Sequence, residues 1–280
     1  MRRKAIAVGE VLIDEFPDRR IVAGAPLHVL AHLVALGWDA AMVTRVGDDA
    51  DGRTIVATMQ AAGIDSAMVE VDDALPTGTT AITLLPNGGH TFNVTRPAAW
   101  DAIVGPKPIP DHDVLVFGTL ALRDQRSRVA VERLSSRATM TVLDLNLRPP
   151  HYDAATVGAA VALAHLVKAT EEEEAIVTGL LGIESLFAHR ADWVCVTRGS
   201  QGAALRSRSG RSWSVPAVAT EVVDAVGAGD AFLAGLVDAL ATHRDPQAAM
   251  ERAAHLASET LRHRGGMPAT SGQTGAAPNG

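Results

Sequence analysis

The chain alternates short apolar, β-branched runs with longer segments whose apolar residues recur every three or four positions. Residues 5–8 are unbroken apolar sequence and predict a buried strand. In residues 26–36, Leu27, Leu30, Ala31 and Val34 fall on one face of a helix, with Pro26 near its start and Gly37 past its end. A strand at 41–43 and a helix at 51–62, stopped by Gly63, repeat the pattern. Further strands are expected at 114–117, 141–144, 166–168 and 194–197, with helical stretches between them. Strand–helix alternation of this kind predicts an α/β fold, a mostly parallel sheet covered on both faces.

Two regions break the alternation. Residues 15–23 are short and punctuated by Pro17, and residues 79–85 and 91–95 flank Pro86-Asn87-Gly88-Gly89, the signature of a hairpin. With no helices between them, these strands read as a small sheet standing off the main body as a lid; the competing reading is an extension of the main sheet's edge. Residues 206–212, basic and Ser-rich, read as a solvated hairpin tip. Residues 269–280 are small and polar, with Gly and Pro, and read as a disordered tail after one domain spanning 1–268.

Composition narrows the class. The 280 residues are 47% apolar, enough for a sizeable core, and no stretch is apolar and charge-free over a bilayer's width. Arg2, Arg3 and Lys4 before an apolar run imitate a signal peptide, but Glu10 and Asp14 interrupt it and no small-residue cleavage site follows. Cys195 is the sole cysteine, so no intramolecular disulfide forms, which fits a cytoplasmic protein. Asp and Glu outnumber Lys and Arg by 32 to 25, giving a formal charge of −7 that argues against bulk nucleic-acid binding.

The candidate chemistry sits in Asp224-Ala225-Val226-Gly227-Ala228-Gly229-Asp230, between a stretch expected to be extended, 218–223, and a helix expected over 231–241. Glycines at such a turn let the backbone approach a ligand closely, and the helix start offers unpaired N–H groups and a positive dipole end. That is an anion site with a carboxylate beside it. Phosphoryl transfer to an alcohol needs donors around the moving group and a carboxylate to take the hydroxyl proton. The turn supplies both through Gly227, Ala228, Gly229 and Asp230. In isolation the same residues also describe a glycine turn capped by Asp. No Gly-Lys-Ser/Thr follows, so this is not a Walker A loop.

Asp224 to Asp230 resembles the C-terminal signature of the PfkB, or ribokinase-like, carbohydrate kinases, usually Asp-Thr-x-Gly-Ala-Gly-Asp. The resemblance runs in order along nearly the whole chain and is strongest to fructokinase-like members. Gly9-Glu10-Val11-Leu12-Ile13-Asp14 looks like the opening strand, whose Asp binds sugar hydroxyls. Gly24-Ala25-Pro26 with Leu36-Gly37, Val46-Gly47-Asp48-Asp49 with Gly52, and Asp144-Leu145-Asn146-Leu147-Arg148-Pro149 match further family elements. Lys168 to Glu173 resembles Lys-x-Asn-x-x-Glu, whose Glu helps organise magnesium. Thr197-Arg198-Gly199-Ser200-Gln201-Gly202 resembles the family's nucleotide loop.

The resemblance implies a three-layer α/β/α body with a small β lid, ATP and magnesium as partners of the reaction, a cation requirement that includes potassium in some members, and a homodimer through the lid. It implies Asp230 as base with the Gly227–Gly229 anion hole. It implies Asp14, Gly24, His28, Phe92, Asn146 and Arg148 at the sugar, Lys168, Thr197, Gly199, Gly202, Asp224 and His255 at the nucleotide, and Glu173 at the metal. A hexose such as fructose is the expected substrate. A nucleoside or 2-keto-3-deoxygluconate kinase on the same fold, and a non-catalytic sugar- or nucleotide-binding protein, are the other readings. The departures from the family pattern are Ala225 for Thr, Ala23 for Gly, Thr170 for Asn, and His28 and His255 where Asn is common. Glu171 to Glu174 otherwise read as an acidic first helical turn, Asp48 and Asp49 as caps of the next helix, and Phe92 as core packing. His28 and His32, four apart, have no third ligand to make a zinc site.

Overall fold

The computed structural model describes residues 2–84 and 90–268, with the side chains of Leu84 and His90 left aside. The turn read at 86–89 and the tail read from 269 lie outside the described residues. The chain opens with β1 (Lys4–Val8), β2 (Leu12–Glu15), β3 (Arg20–Ala23), α1 (Ala25–Ala35), β4 (Asp39–Gly47), α2 (Ala50–Ala61), β5 (Val69–Asp72), β6 (Gly78–Leu84) and β7 (His90–Val94). It continues with β8 (Val114–Gly118), α3 (Gln125–Ser135), β9 (Met140–Asp144), α4 (Ala154–Leu163), β10 (Leu166–Thr170) and α5 (Glu171–Leu181). The last elements are β11 (Trp193–Thr197), β12 (Ala203–Ser207), β13 (Ser212–Val215), α6 (Ala228–Ala241) and α7 (Pro246–Thr260).

Among the described residues, nine strands form one sheet in the order β13-β12-β11-β10-β9-β8-β1-β4-β5. Pairing is parallel from β5 across to β11 and antiparallel for the β11–β12–β13 meander. The central strands are mostly apolar because both faces are covered. In β8, Val114 and Val116 join the core beneath α1, α2, α6 and α7, while Leu115 and Phe117 join the core beneath α3, α4 and α5. Side chains on a strand alternate between faces, so a continuous apolar run feeds both cores at once.

The second sheet has the order β3-β2-β6-β7 and is hydrogen-bonded separately from the first. It is the small sheet expected from the sequence, but it begins at Leu12, not near residue 15. Asp14 therefore belongs to this sheet. The opening strand ends at Val8, and the chain crosses over through Gly9, Glu10 and Val11. The extended stretch expected at 218–223 is also corrected. Residues 216–227 carry no strand, and Val222 and Val223 are 60% and 54% exposed. They do not pair with β13, the edge strand of the sheet. The basic Ser-rich segment is, as expected, the hairpin turn between β12 and β13.

Candidate active site

A cavity of about 390 Å³ lies between the carboxyl ends of the parallel strands and the inner face of the small sheet. Register explains which lid residues reach it. Leu12 pairs with Gly78 and Asp14 with Thr80 on β6, while Thr80 pairs with Val94 and Ile82 with Phe92 on β7. Every second residue of each strand thus shares a face, and Asp14, Thr80, Ile82, Phe92 and Val94 all line the cavity. From the main body come Glu10 after β1, Asn146 and Arg148 after β9, Lys168 on β10, and the loop from Asp224 to Asp230. Ligands of open α/β sheets bind at this edge.

The glycine turn behaves as its sequence predicts. Gly227 caps α6 in the left-handed region at φ 78°, and Asp230 lies in the first turn. A Cβ on Gly227 would sit 2.2 Å from the Cα of Gly266, so the C-terminal Gly265-Gly266 segment fits against the turn only because residue 227 is glycine. Asp224 fastens that junction. Its Oδ1 accepts the Val226 N–H at 3.1 Å and its Oδ2 the Gly265 N–H at 3.0 Å. Beneath the turn lies Lys168, whose Nζ would be 3.3 Å from a Cβ on Gly229. Its ammonium donates to both oxygens of Asp144, at 2.9 and 2.8 Å, and the pair is buried. Burial works against the lysine's charge, but the carboxylates of Asp144, Asp230 and Glu173 outweigh it and raise the Lys168 pKa above its ordinary value.

At the opposite end, the Arg148 guanidinium lies 4.7 Å from the centroid of the Phe92 ring, a cation–π contact that joins body to lid. Asn146 adopts φ 39°, a left-handed conformation that Asn tolerates better than most residues. The turn is pinned by Glu173, whose Oε1 accepts the Leu147 N–H while its Oε2 accepts the Thr170 N–H, both at 2.8 Å. Thr170 Oγ1 in turn accepts the Glu173 N–H, completing a capping box at the start of α5. Glu171, Glu172 and Glu174 share that first turn, as the sequence suggests.

Burial pushes the Asp14 carboxyl up to about 6, against the pull of His28, Arg148 and the Thr80 hydroxyl. Glu10 was not singled out from the sequence. It is 2% exposed, burial pushes it up to about 7, and its Oε2 has no hydrogen-bond partner among the described residues. A lone Glu after a strand has no sequence signature of burial, which is why pattern reading passed over it. His28 Nδ1 lies 2.9 Å from Asp230 Oδ2, with the two side chains 6% and 14% exposed. His32 is structural. Its Nε2 meets the Gly266 carbonyl at 3.1 Å, and burial lowers its pKa to about 4, so it stays neutral.

The cavity therefore gathers Asp14, Gly24, His28, Phe92, Asn146, Arg148, Lys168, Asp224, Gly227, Gly229 and Asp230. Ala228, Glu173, Thr197, Gly199, Gly202 and His255 do not line it. Thr197 Oγ1 donates to the Ala169 carbonyl, and His255 is exposed on α7. Gly202, at φ 89°, packs where a Cβ would meet the Val215 carbonyl oxygen at 2.0 Å. Asp49 caps α2 and accepts from Gly52 N and from both the N–H and the hydroxyl of Thr77. The Val46-Gly47-x-Asp49-x-x-Gly52 motif thus anchors the chain just before it enters the lid.

Comparison with known proteins agrees with this geometry. The family model described as pfkB family carbohydrate kinase matches residues 9–271. A fructokinase from Klebsiella pneumoniae is 32% identical over 271 residues, which cover 88% of this chain and 87% of the relative. A fructokinase double mutant from Vibrio cholerae, solved with fructose, ADP and potassium ion bound, superimposes with TM-score 0.81 at 25% identity over 95% of this chain and 94% of its own. Aminoimidazole riboside kinase from Salmonella enterica, complexed with its riboside and an ATP analogue, shares the fold with TM-score 0.77 at 22% identity and 95% coverage of both chains. The α/β body, the β lid and the ordered motifs now have one explanation: the chain belongs to the pfkB family of carbohydrate kinases and is an ATP-dependent sugar kinase of the fructokinase-like kind.

Proposed function

We propose that the protein transfers the γ-phosphoryl group of ATP to a primary hydroxyl of a hexose, with fructose the first candidate, and that Asp230 takes the hydroxyl proton. The observation that carries this reading is the placement of Asp230. Its carboxylate stands in the first turn of α6, in the same cavity as Asp14, Asn146 and Arg148. Asp14, Asn146 and Arg148, with Gly24 giving close backbone approach, offer a sugar acceptors and donors from two sides. Phe92 covers it from the lid. As the O–H bond breaks towards Asp230, the new O–P bond forms and the bond from phosphorus to ADP breaks. The N–H groups of Gly227, Ala228 and Gly229 face the charge on the phosphoryl group, and Lys168 adds a positive charge behind Gly229. A carboxylate is a weak base, which suffices where positioning dominates and the hydroxyl loses its proton late.

The nucleotide would extend from the turn towards Thr197, Gly199, Gly202 and His255, with Asp224 fixing the loop beneath it. Among the described residues, no three His, Cys, Asp or Glu side chains gather as a metal cage. That suits magnesium, which keeps most of its waters and would neutralise phosphate charge when it arrives with ATP. Glu173, whose field reaches both Asp144 and Lys168, is the carboxylate to hold those waters. A homodimer formed through the lid, which would cover its open strand edges, and a cytoplasmic location where ATP is supplied, belong to the same reading.

The test couples ADP production to a panel of fructose, other hexoses, ribosides and 2-keto-3-deoxygluconate, with and without potassium. A keto acid would find a carboxylate partner in Arg148, so its place in the ranking is informative. Asp230→Asn should lower kcat on the best substrate by about 100-fold or more; a fall of less than about tenfold would remove Asp230 from the role of base.

A further inference from the structure

The geometry points to His28 as a positioning residue for the base: a histidine–aspartate pair in which the imidazole aims the Asp230 carboxylate. The inference rests on the reading of Asp230 as base and adds a second residue to it. His28 Nδ1 lies 2.9 Å from Asp230 Oδ2. A carboxylate only accepts hydrogen bonds, so the proton between them sits on Nδ1. With Oδ2 held by this N–H, Oδ1 is the oxygen left to face a substrate hydroxyl. During transfer the hydroxyl proton passes to Oδ1 and the Nδ1–H stays in place, so the imidazole neither gains nor loses a proton.

The surroundings are shaped for this pair. The imidazole is buried against Gly266, where a Cβ would lie 2.5 Å from Nδ1 and 2.6 Å from Cε1. No other residue type leaves room for the ring. Gly266 is itself held by His32, one turn along α1, through the 3.1 Å contact to its carbonyl. Gly265 is held by Asp224 and Gly266 abuts Gly227. Helix α1, the C-terminal glycine pair and the catalytic turn therefore meet at the His28–Asp230 contact. On its other side the ring is within electrostatic reach of Asp14. Among the described residues the ring's one hydrogen bond is the Nδ1 contact to Asp230, and His28 lines the cavity.

The experiment compares three substitutions with Asp230→Asn, using the full chain and its best sugar. Asparagine at position 28 keeps an N–H near the place of Nδ1, glutamine carries its amide past that place, and alanine has neither. His28→Ala and His28→Gln should lower kcat by about 10- to 100-fold with the KM for ATP unchanged, whereas His28→Asn should recover kcat to within about fivefold of the parent. Side-chain ¹⁵N NMR of the unaltered protein should show His28 with its proton on Nδ1. Equal kcat for the alanine and asparagine variants, an effect confined to the KM for sugar, or an Nδ1 that carries no proton would each overturn the assignment. The NMR result does not depend on turnover, so it stands even if every variant at position 28 folds poorly. Full activity in Asp230→Asn would instead remove the base reading, whatever the tautomer.

Discussion

Glu10→Gln replaces a buried carboxyl, whose Oε2 has no hydrogen-bond partner among the described residues, by a neutral group of the same shape. Glu10 is 2% exposed, and burial lifts its pKa from 4.5 to about 7. Its own backbone N–H, Arg148 and Arg123 pull the value down, and the nearby Asp230 carboxylate pushes it up again. The folded value lies above the unfolded one, so the folded protein holds an extra proton between roughly pH 4.5 and 7. The associated stability is fully present below the unfolded value and is lost as pH rises through the folded value. At about 1.4 kcal/mol per pH unit, the whole interval corresponds to about 3 kcal/mol. Glutamine cannot ionise and does not lose it. For a domain of this size, at about 2 °C per kcal/mol, the melting temperature of the glutamine variant relative to the parent should climb by about 6 °C between about pH 5 and about pH 8.5. Comparing the two proteins at both pH values cancels any fixed packing difference, and it cancels Asp14, which titrates in both. Differential scanning fluorimetry is sufficient. If the gap between the proteins changes by less than about 1 °C, or shrinks with rising pH, the burial argument for Glu10 is wrong.

Two further substitutions separate charge from backbone. Lys168→Met leaves Asp144 buried without its partner and should cost about 3–5 kcal/mol in urea unfolding, whereas Lys168→Met with Asp144→Leu should recover most of it; a single-variant loss below about 1 kcal/mol would count against the pair. Gly227→Ala meets both a left-handed φ of 78° and a Cβ 2.2 Å from Gly266, and should abolish measurable turnover with a clear loss of stability. Gly210→Ala, at φ 85° with nothing within 4 Å, should cost only about 1 kcal/mol and leave the rate alone, so equal effects at the two positions would refute the crowding argument.

Much of this was legible along the chain. Unbroken apolar runs such as Val114 to Phe117 are what a strand needs when both faces are covered, and the hydrophobic effect acts on that pattern wherever the strand ends up. The glycine turn was legible for a similar reason, since its demand for small residues and a following helix is local. So was the acidic first turn of α5. The lid was legible as short strands that break the strand–helix alternation, although its first strand was placed too late, because Leu12 to Glu15 reads as a continuation of the apolar opening.

What the sequence alone determined, then, was the class of fold, the glycine turn before α6 and the family. Each of these depends on local patterning or on motifs kept in order. The tertiary structure decided which residues meet. Glu173 lies 26 positions from Leu147 and clamps that turn; His28 lies 202 positions from Asp230 and touches its carboxylate; Glu10 Oε2 has no hydrogen-bond partner among the described residues. Such contacts arise where packing of distant elements removes water and leaves polar groups to find one another or go unpaired. Burial also set the charge states of Glu10 and Asp14, since the cost of an ion depends on what surrounds it and not on the residues next to it in the chain.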